Sequence, residues 1–74
     1  MDEREMIAKA KVYLKNHYGE DTVSMDVTDN AVGKTGSGVL SVDCTVSVEG
    51  ALSDWHKQFH FRNGNITRMD WEIR

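Results

Sequence analysis

The sequence predicts an α+β fold in which one N-terminal helix packs on a four-stranded antiparallel meander sheet, in the order α-β-β-β-β. Three observations lead there. The first eighteen residues carry apolar side chains at helical spacing. The rest of the chain holds four runs in which apolar and polar residues alternate, the period of a half-buried strand. The later runs are joined by tight-turn chemistry, Gly50-Ala51 and Arg62-Asn63-Gly64, which makes hairpins of them.

The helix is expected over residues 3 to 18. Asp2 and Glu5 have capping-box spacing. Met6, Ile7, Ala10, Tyr13, Leu14 and His17 form one stripe, with Arg4, Lys9, Lys11 and Lys15 off it. Gly19 is a left-handed stop. Residues 22 to 28 alternate as a first strand, with Val23, Met25 and Val27 inward. Asp29 to Gly38 reads as a slack polar loop. Residues 39 to 49 form the second strand, with Leu40, Val42, Cys44, Val46 and Val48 inward. Gly50-Ala51 fits a type II′ turn, which sets Val46 against Trp55, Cys44 against Lys57, Val42 against Phe59 and Leu40 against Phe61.

Trp55 to Arg74 carries both tryptophans and both phenylalanines, so it anchors the sheet. Trp55, Lys57, Phe59 and Phe61 share one face of their strand. Asn65, Thr67, Met69, Trp71 and Ile73 share the same face of the next. Opposed residues lie on one face, so odd numbers must meet odd numbers and the loop must hold an odd number of residues. A three-residue loop, Arg62-Asn63-Gly64, satisfies this with Gly64 at positive φ. Trp55 then opposes Trp71, His56 opposes Asp70 and Gln58 opposes Arg68. The expected core joins Trp55, Phe59, Phe61 and Trp71 to Leu14 and Ile7.

Seventy-four residues make one domain, 1–74, with a thin margin of stability. The single cysteine, Cys44, excludes an internal disulfide and sits in an apolar alternation as a small core residue. A net charge of −3 with signs intermixed argues against nucleic acid. No apolar run is long enough to span a membrane. The acidic, helical start is unlike a signal peptide, so a cytoplasmic location is expected.

Phe59 followed by Phe61-Arg62-Asn63-Gly64-Asn65-Ile66-Thr67-Arg68-Met69 resembles the last hairpin of the nuclear-transport-factor-2-like superfamily, which includes the SnoaL-like proteins. The likeness covers about a fifth of the chain. It implies a cystatin-like layout and dimerisation through the sheet. The chain is much shorter than those proteins, and no isomerase-type acid or base carries over to any residue here.

Candidate chemistry is sparse. Gly33-Lys34-Thr35 lacks the earlier glycine and the following helix of a P-loop. His56 and His60 share a face but stand about 13 Å apart along a strand, so no metal site and no cofactor is expected. Lys57 is the most unusual residue, because its parity points it inward. Either its stem packs on the core while the ammonium reaches the rim, or it lines a cleft with Tyr13 and Trp71, or with Tyr18, that holds an anionic ligand. No nucleophile–base or carboxylate pair accompanies it, so no catalytic residue is assigned. The outer face, with His56, Gln58, His60, Arg68 and Asp70, is the expected interaction surface. The expected function is a small non-enzymatic binding module acting as a homodimer or with a protein partner. The alternative is a minimal small-ligand binder or enzyme using the cleft around Lys57.

Overall fold

The computed structural model describes residues 1–74. Helix α1 spans Glu3–Tyr18, and strands β1 Asp21–Asn30, β2 Gly38–Val48, β3 Ala51–Arg62 and β4 Asn65–Ile73 follow. The strands form one antiparallel sheet in the order β1-β2-β3-β4. The α+β meander read from the alternation is therefore the observed fold.

Both ends of α1 are capped as the sequence indicates. The Asp2 carboxylate accepts a hydrogen bond from the Glu5 N–H at 2.9 Å. Gly19 stops the helix at φ 66°, and the Gly19 and Glu20 N–H groups donate to the Lys15 and Leu14 carbonyls. Met6, Ala10 and Leu14 are the buried helix residues. They meet Leu40, Val42, Cys44 and Val46 of β2, Phe59 and Phe61 of β3 and Met69 of β4 in a single core. Met6 takes the place expected for Ile7. Trp55 packs partly buried against this core, and Trp71 stays outside it, 58% exposed.

Face assignments in β2 and β3 hold, but both turns differ from expectation. The β2–β3 connection is Glu49-Gly50, with φ 51° and 86°, and Val48 pairs with Ala51. Two successive positive φ values give the primed turn whose twist matches the strands. Moving the turn by one residue moves every partner by two, so the faces survive while the pairs change. Leu40 lies opposite Phe59, and Phe61 lies opposite Gly38. The large ring thus faces the one residue of β2 that has no side chain.

The β3–β4 connection is also a two-residue turn, Asn63-Gly64, with φ 50° and 82°. Arg62 pairs with Asn65 and Phe61 with Ile66, but His60 pairs with Arg68. The intervening shift is a bulge, in which one extra residue on β4 changes the parity. The odd count that a three-residue loop was expected to supply comes from inside the strand. The bulge turns Ile66 inward against the core and then restores Met69, Trp71 and Ile73 to the inner face. Trp55 pairs with Ile73 rather than Trp71, although the two indoles meet edge to face with centroids 5.2 Å apart.

Strand β1 carries two further register shifts, between Thr22 and Ser24 and between Val27 and Asp29. Val23 is the extra residue of the first, so it is 60% exposed where the alternation placed it inside. Irregular edges of this kind resist pairing with another chain.

The β1–β2 loop is braced, not slack. The Gly64 N–H donates to the Gly36 carbonyl at 2.9 Å, and the Asn63 N–H donates to Ser37 Oγ at 3.0 Å. Lys9 of the helix donates to the Gly64 carbonyl. One turn therefore ties loop, hairpin and helix together. Gly36 has φ 80°, and a Cβ there would lie 2.6 Å from the Gly64 nitrogen. At Gly33 a Cβ would meet only the Ser37 oxygen, at 3.8 Å.

Two outcomes follow. Phe59→Ala should cost about 3–5 kcal/mol, since a fully buried ring leaves a cavity. Gly36→Ala should cost at least about 1–3 kcal/mol from backbone strain alone, with Gly33→Ala near wild type. Urea denaturation of the three variants checks this ranking; a silent Gly36→Ala would contradict the brace.

Candidate functional site

The functional surface follows from where the cover of the inner sheet face gives out. Sixteen helical residues reach about 24 Å at 1.5 Å each. The eleven and twelve residues of β2 and β3 run about 36–40 Å, and the long axis of the molecule is 36 Å. The helix therefore stops short of the sheet. Tyr18, its last residue, lies near Lys57 and lines a cleft with Trp55 and Trp71. Towards the β2–β3 turn Val46 is still fully buried, and the exposed inner-face positions are the last pair, Val48 and Ala51, and the edge-strand residues Trp71 and Ile73. Ile73 is 77% exposed and Val48 is exposed too, although both occupy core-facing positions of their strands.

At the border between covered and uncovered sheet lies a cleft of about 200 Å³, lined by Tyr18, Glu20, Trp55, Lys57, Met69 and Trp71. Lys57 is only 2% exposed. Its ammonium stands 5.1 Å from the Trp55 ring centre and 5.8 Å from that of Tyr18, within reach of cation–π attraction. The Glu20 carboxylate oxygen Oε1 lies 3.3 Å from it. That oxygen accepts no hydrogen bond, so the contact is an ion pair without hydrogen-bond geometry. Lys57 is thus inside, as its parity indicates, with its charge already balanced. An anionic ligand would have to displace Glu20.

Of the residues expected to share this cleft, Lys57, Trp71 and Tyr18 come together and Tyr13 does not. Tyr13 stacks on His17 at 4.1 Å and meets Phe59 edge to face. Burial pushes its phenol above the ordinary range, with Tyr18 adding to the rise. It lines a separate depression of about 430 Å³ between α1 and the start of β4, which is shallow and open towards solvent.

Glu20 is the residue that sequence reasoning missed. It read as connection, but after the helix stop its side chain lines the same cleft as Tyr18 and reaches Lys57. An inward lysine needs a carboxylate, and Glu20-Asp21 is the acidic pair directly after the helix stop. That requirement was the available signal.

The outer face is a set of pairs internal to the sheet. His56 Nδ1 lies 2.8 Å from Asp43, and His60 Nε2 lies 2.8 Å from Asp70. Arg68 adds a longer contact to Asp70 at 3.6 Å. The Thr45 hydroxyl donates to Asp54. Gln58 pairs with Asp70 along the ladder and stays exposed. His56 was expected to meet Asp70, and the changed registers give that carboxylate to His60 instead.

Cys44 is fully buried, and burial pushes its thiol above the ordinary range, away from the nucleophilic thiolate. No three of the His, Cys, Asp and Glu side chains converge on a point that could hold a metal ion. No helix is long and apolar enough to cross a membrane. Set against protein-family models, curated proteins and solved structures, the chain matches none.

Two measurements probe this geometry. Cys44 should resist alkylation at mildly alkaline pH until the domain unfolds; rapid labelling of folded protein would contradict its burial. Glu20→Gln should cost about 3–5 kcal/mol, because it leaves a buried ammonium unpaired. The double variant Glu20→Gln with Lys57→Met should lose clearly less than Glu20→Gln alone. Equal losses on urea denaturation would show that the pair is uncoupled.

Proposed function

We propose that this domain is a non-enzymatic protein-binding module whose docking surface is the exposed β4 margin of its inner sheet face. The observation that carries the reading is the exposure of Trp71 and Ile73, 58% and 77%, at positions whose parity makes them core residues. Apolar side chains on the core side of a sheet are normally covered by the same chain. Here Trp71 and Ile73 lie on the edge strand β4, and Val42, Lys57 and Cys44 in the same cross-sheet rows are buried. Tryptophan and tyrosine on such a patch are the residue types that carry binding energy at interfaces.

The outer face supports the role less well. Its histidines are each tied to a carboxylate of the same sheet, so a partner would gain few free groups there. The cleft around Lys57 supports a small-ligand enzyme less well again. At about 200 Å³ it is below the roughly 300–1,000 Å³ of most small-molecule sites, and it offers an already paired ammonium. A cytoplasmic setting and a layout akin to the nuclear-transport-factor-2-like superfamily belong to the same proposal.

The test is a selection of short peptides from a random library on the folded domain, followed by titration of the winners into ¹⁵N-labelled protein. The reading expects the largest shifts at Tyr18, Trp55, Trp71 and Ile73. Shifts centred on His56, Gln58 and His60 would move the function to the outer face and overturn it.

A further inference from the structure

The two edges of the sheet are not alike. Strand β1, on one edge, carries two register shifts. Strand β4, on the other, pairs with β3 without a shift from Arg68 onward. The Arg74 N–H donates to the Asp54 carbonyl of β3. In an antiparallel pair, residues bonded to the neighbour alternate with residues whose N–H and C=O point away from it. Asp70, Glu72 and Arg74 therefore bond to β3. Met69, Trp71 and Ile73 aim their donors and acceptors outward, where no strand lies. These are also the inner-face residues of that stretch, and Trp71 and Ile73 are its exposed apolar pair.

Resting on the docking surface proposed above, we infer that its occupant is an extended segment of another protein, which adds to the free edge of β4 as a fifth, antiparallel strand. Directly opposed residues share a face. Guest side chains opposite Trp71 and Ile73 thus fall on the inner face beside them, and apolar residues at alternate positions bury both. One alignment of the guest makes the hydrogen bonds and the apolar contacts together. A guest that runs on past Met69 meets a second hollow, the depression of about 430 Å³ between α1 and the start of β4, lined in part by Val12, Tyr13 and Ile66.

A second copy of the chain fits this edge poorly. The outer-face side chains of the stretch are Arg68, Asp70, Glu72 and Arg74, a charge order that reads the same in both directions. Paired antiparallel about Trp71, two copies set Arg68 against Arg74 and Asp70 against Glu72. With the two-fold axis on Asp70 or Glu72, that carboxylate faces its own copy. Like charges directly opposite destabilise a pair. Registers that avoid them keep only Arg68–Asp70 or Glu72–Arg74 of the regular stretch. A guest with a base opposite Glu72 and an acid opposite Arg74 meets no such conflict, and neither of these residues has an ion-pair partner in the domain.

The experiment uses the intact domain and the peptides selected above. Bound peptide should slow hydrogen exchange at the Met69, Trp71 and Ile73 amides. N-methylation of a selected peptide should weaken binding about tenfold at residues whose N–H faces β4, and little at the residues between them. Peptides that shift Trp71 and Ile73 but leave those amides exchanging freely, and tolerate N-methylation in both frames, would overturn strand addition and leave the docking surface standing. Peptides that bind elsewhere, or a selection that yields none, would remove the docking surface and this inference with it. Exchange at the same amides that slows as the domain alone is concentrated would assign the edge to a second copy and refute the foreign strand.

Discussion

The core side of this sheet is buried along β2 and β3 but open along the edge strand β4, and most of what is distinctive in this protein depends on that. Val42, Lys57 and Cys44 are buried, while Trp71 and Ile73 in the same cross-sheet rows are exposed. Capping fixes both ends of the helix, Asp2 at the start and Gly19 at the stop. Where it lies, it closes a core around Phe59, Leu14, Leu40 and Val42, all fully buried. On the edge strand β4 the same alternation delivers Trp71 and Ile73 to water. Lys57 stands at the boundary, its stem inside and its ammonium held by Glu20 and the rings of Tyr18 and Trp55.

Parity is the second constraint. A hairpin with a two-residue turn pairs odd residues with even ones, yet both strands of the last hairpin keep their bulk at odd positions. The chain resolves the conflict with the bulge between Ile66 and Arg68. That choice has structural value beyond counting. It leaves Asn63-Gly64 as a tight turn whose amides reach Gly36 and Ser37 and whose carbonyl takes Lys9. A looser three-residue loop would put those groups elsewhere. The far end of the sheet is thereby held by three elements, and the open end is left free.

The sequence made the elements and their order legible because each has strong local signals: the stripe ending at Gly19, four alternating runs, and glycine at each turn. Faces were legible for β2 and β3. Registers were not, because a turn shifted by one residue preserves every face. Glu49 entering the left-handed region is a choice of twist and packing that no single residue announces. Bulges were equally hidden, so Val23 and Ile66 exchanged their expected sides. Of the candidate site, Lys57 and Trp71 were visible from parity. Glu20 was not, since its contact with Lys57 joins the connection after the helix to β3, far apart in sequence. The exposure of Trp71 was not either, since it depends on how far cover extends across the sheet to its edge strand.

The central claim is that Trp71 stands in water on the core side of β4. A Trp55→Phe variant leaves Trp71 as the sole indole, and its fluorescence reports the surroundings directly. The account predicts red-shifted emission that acrylamide quenches freely in the folded domain, nearly as in the unfolded chain. Blue-shifted emission protected from acrylamide in the isolated, monomeric protein would mean that the face is covered and that no docking surface exists there.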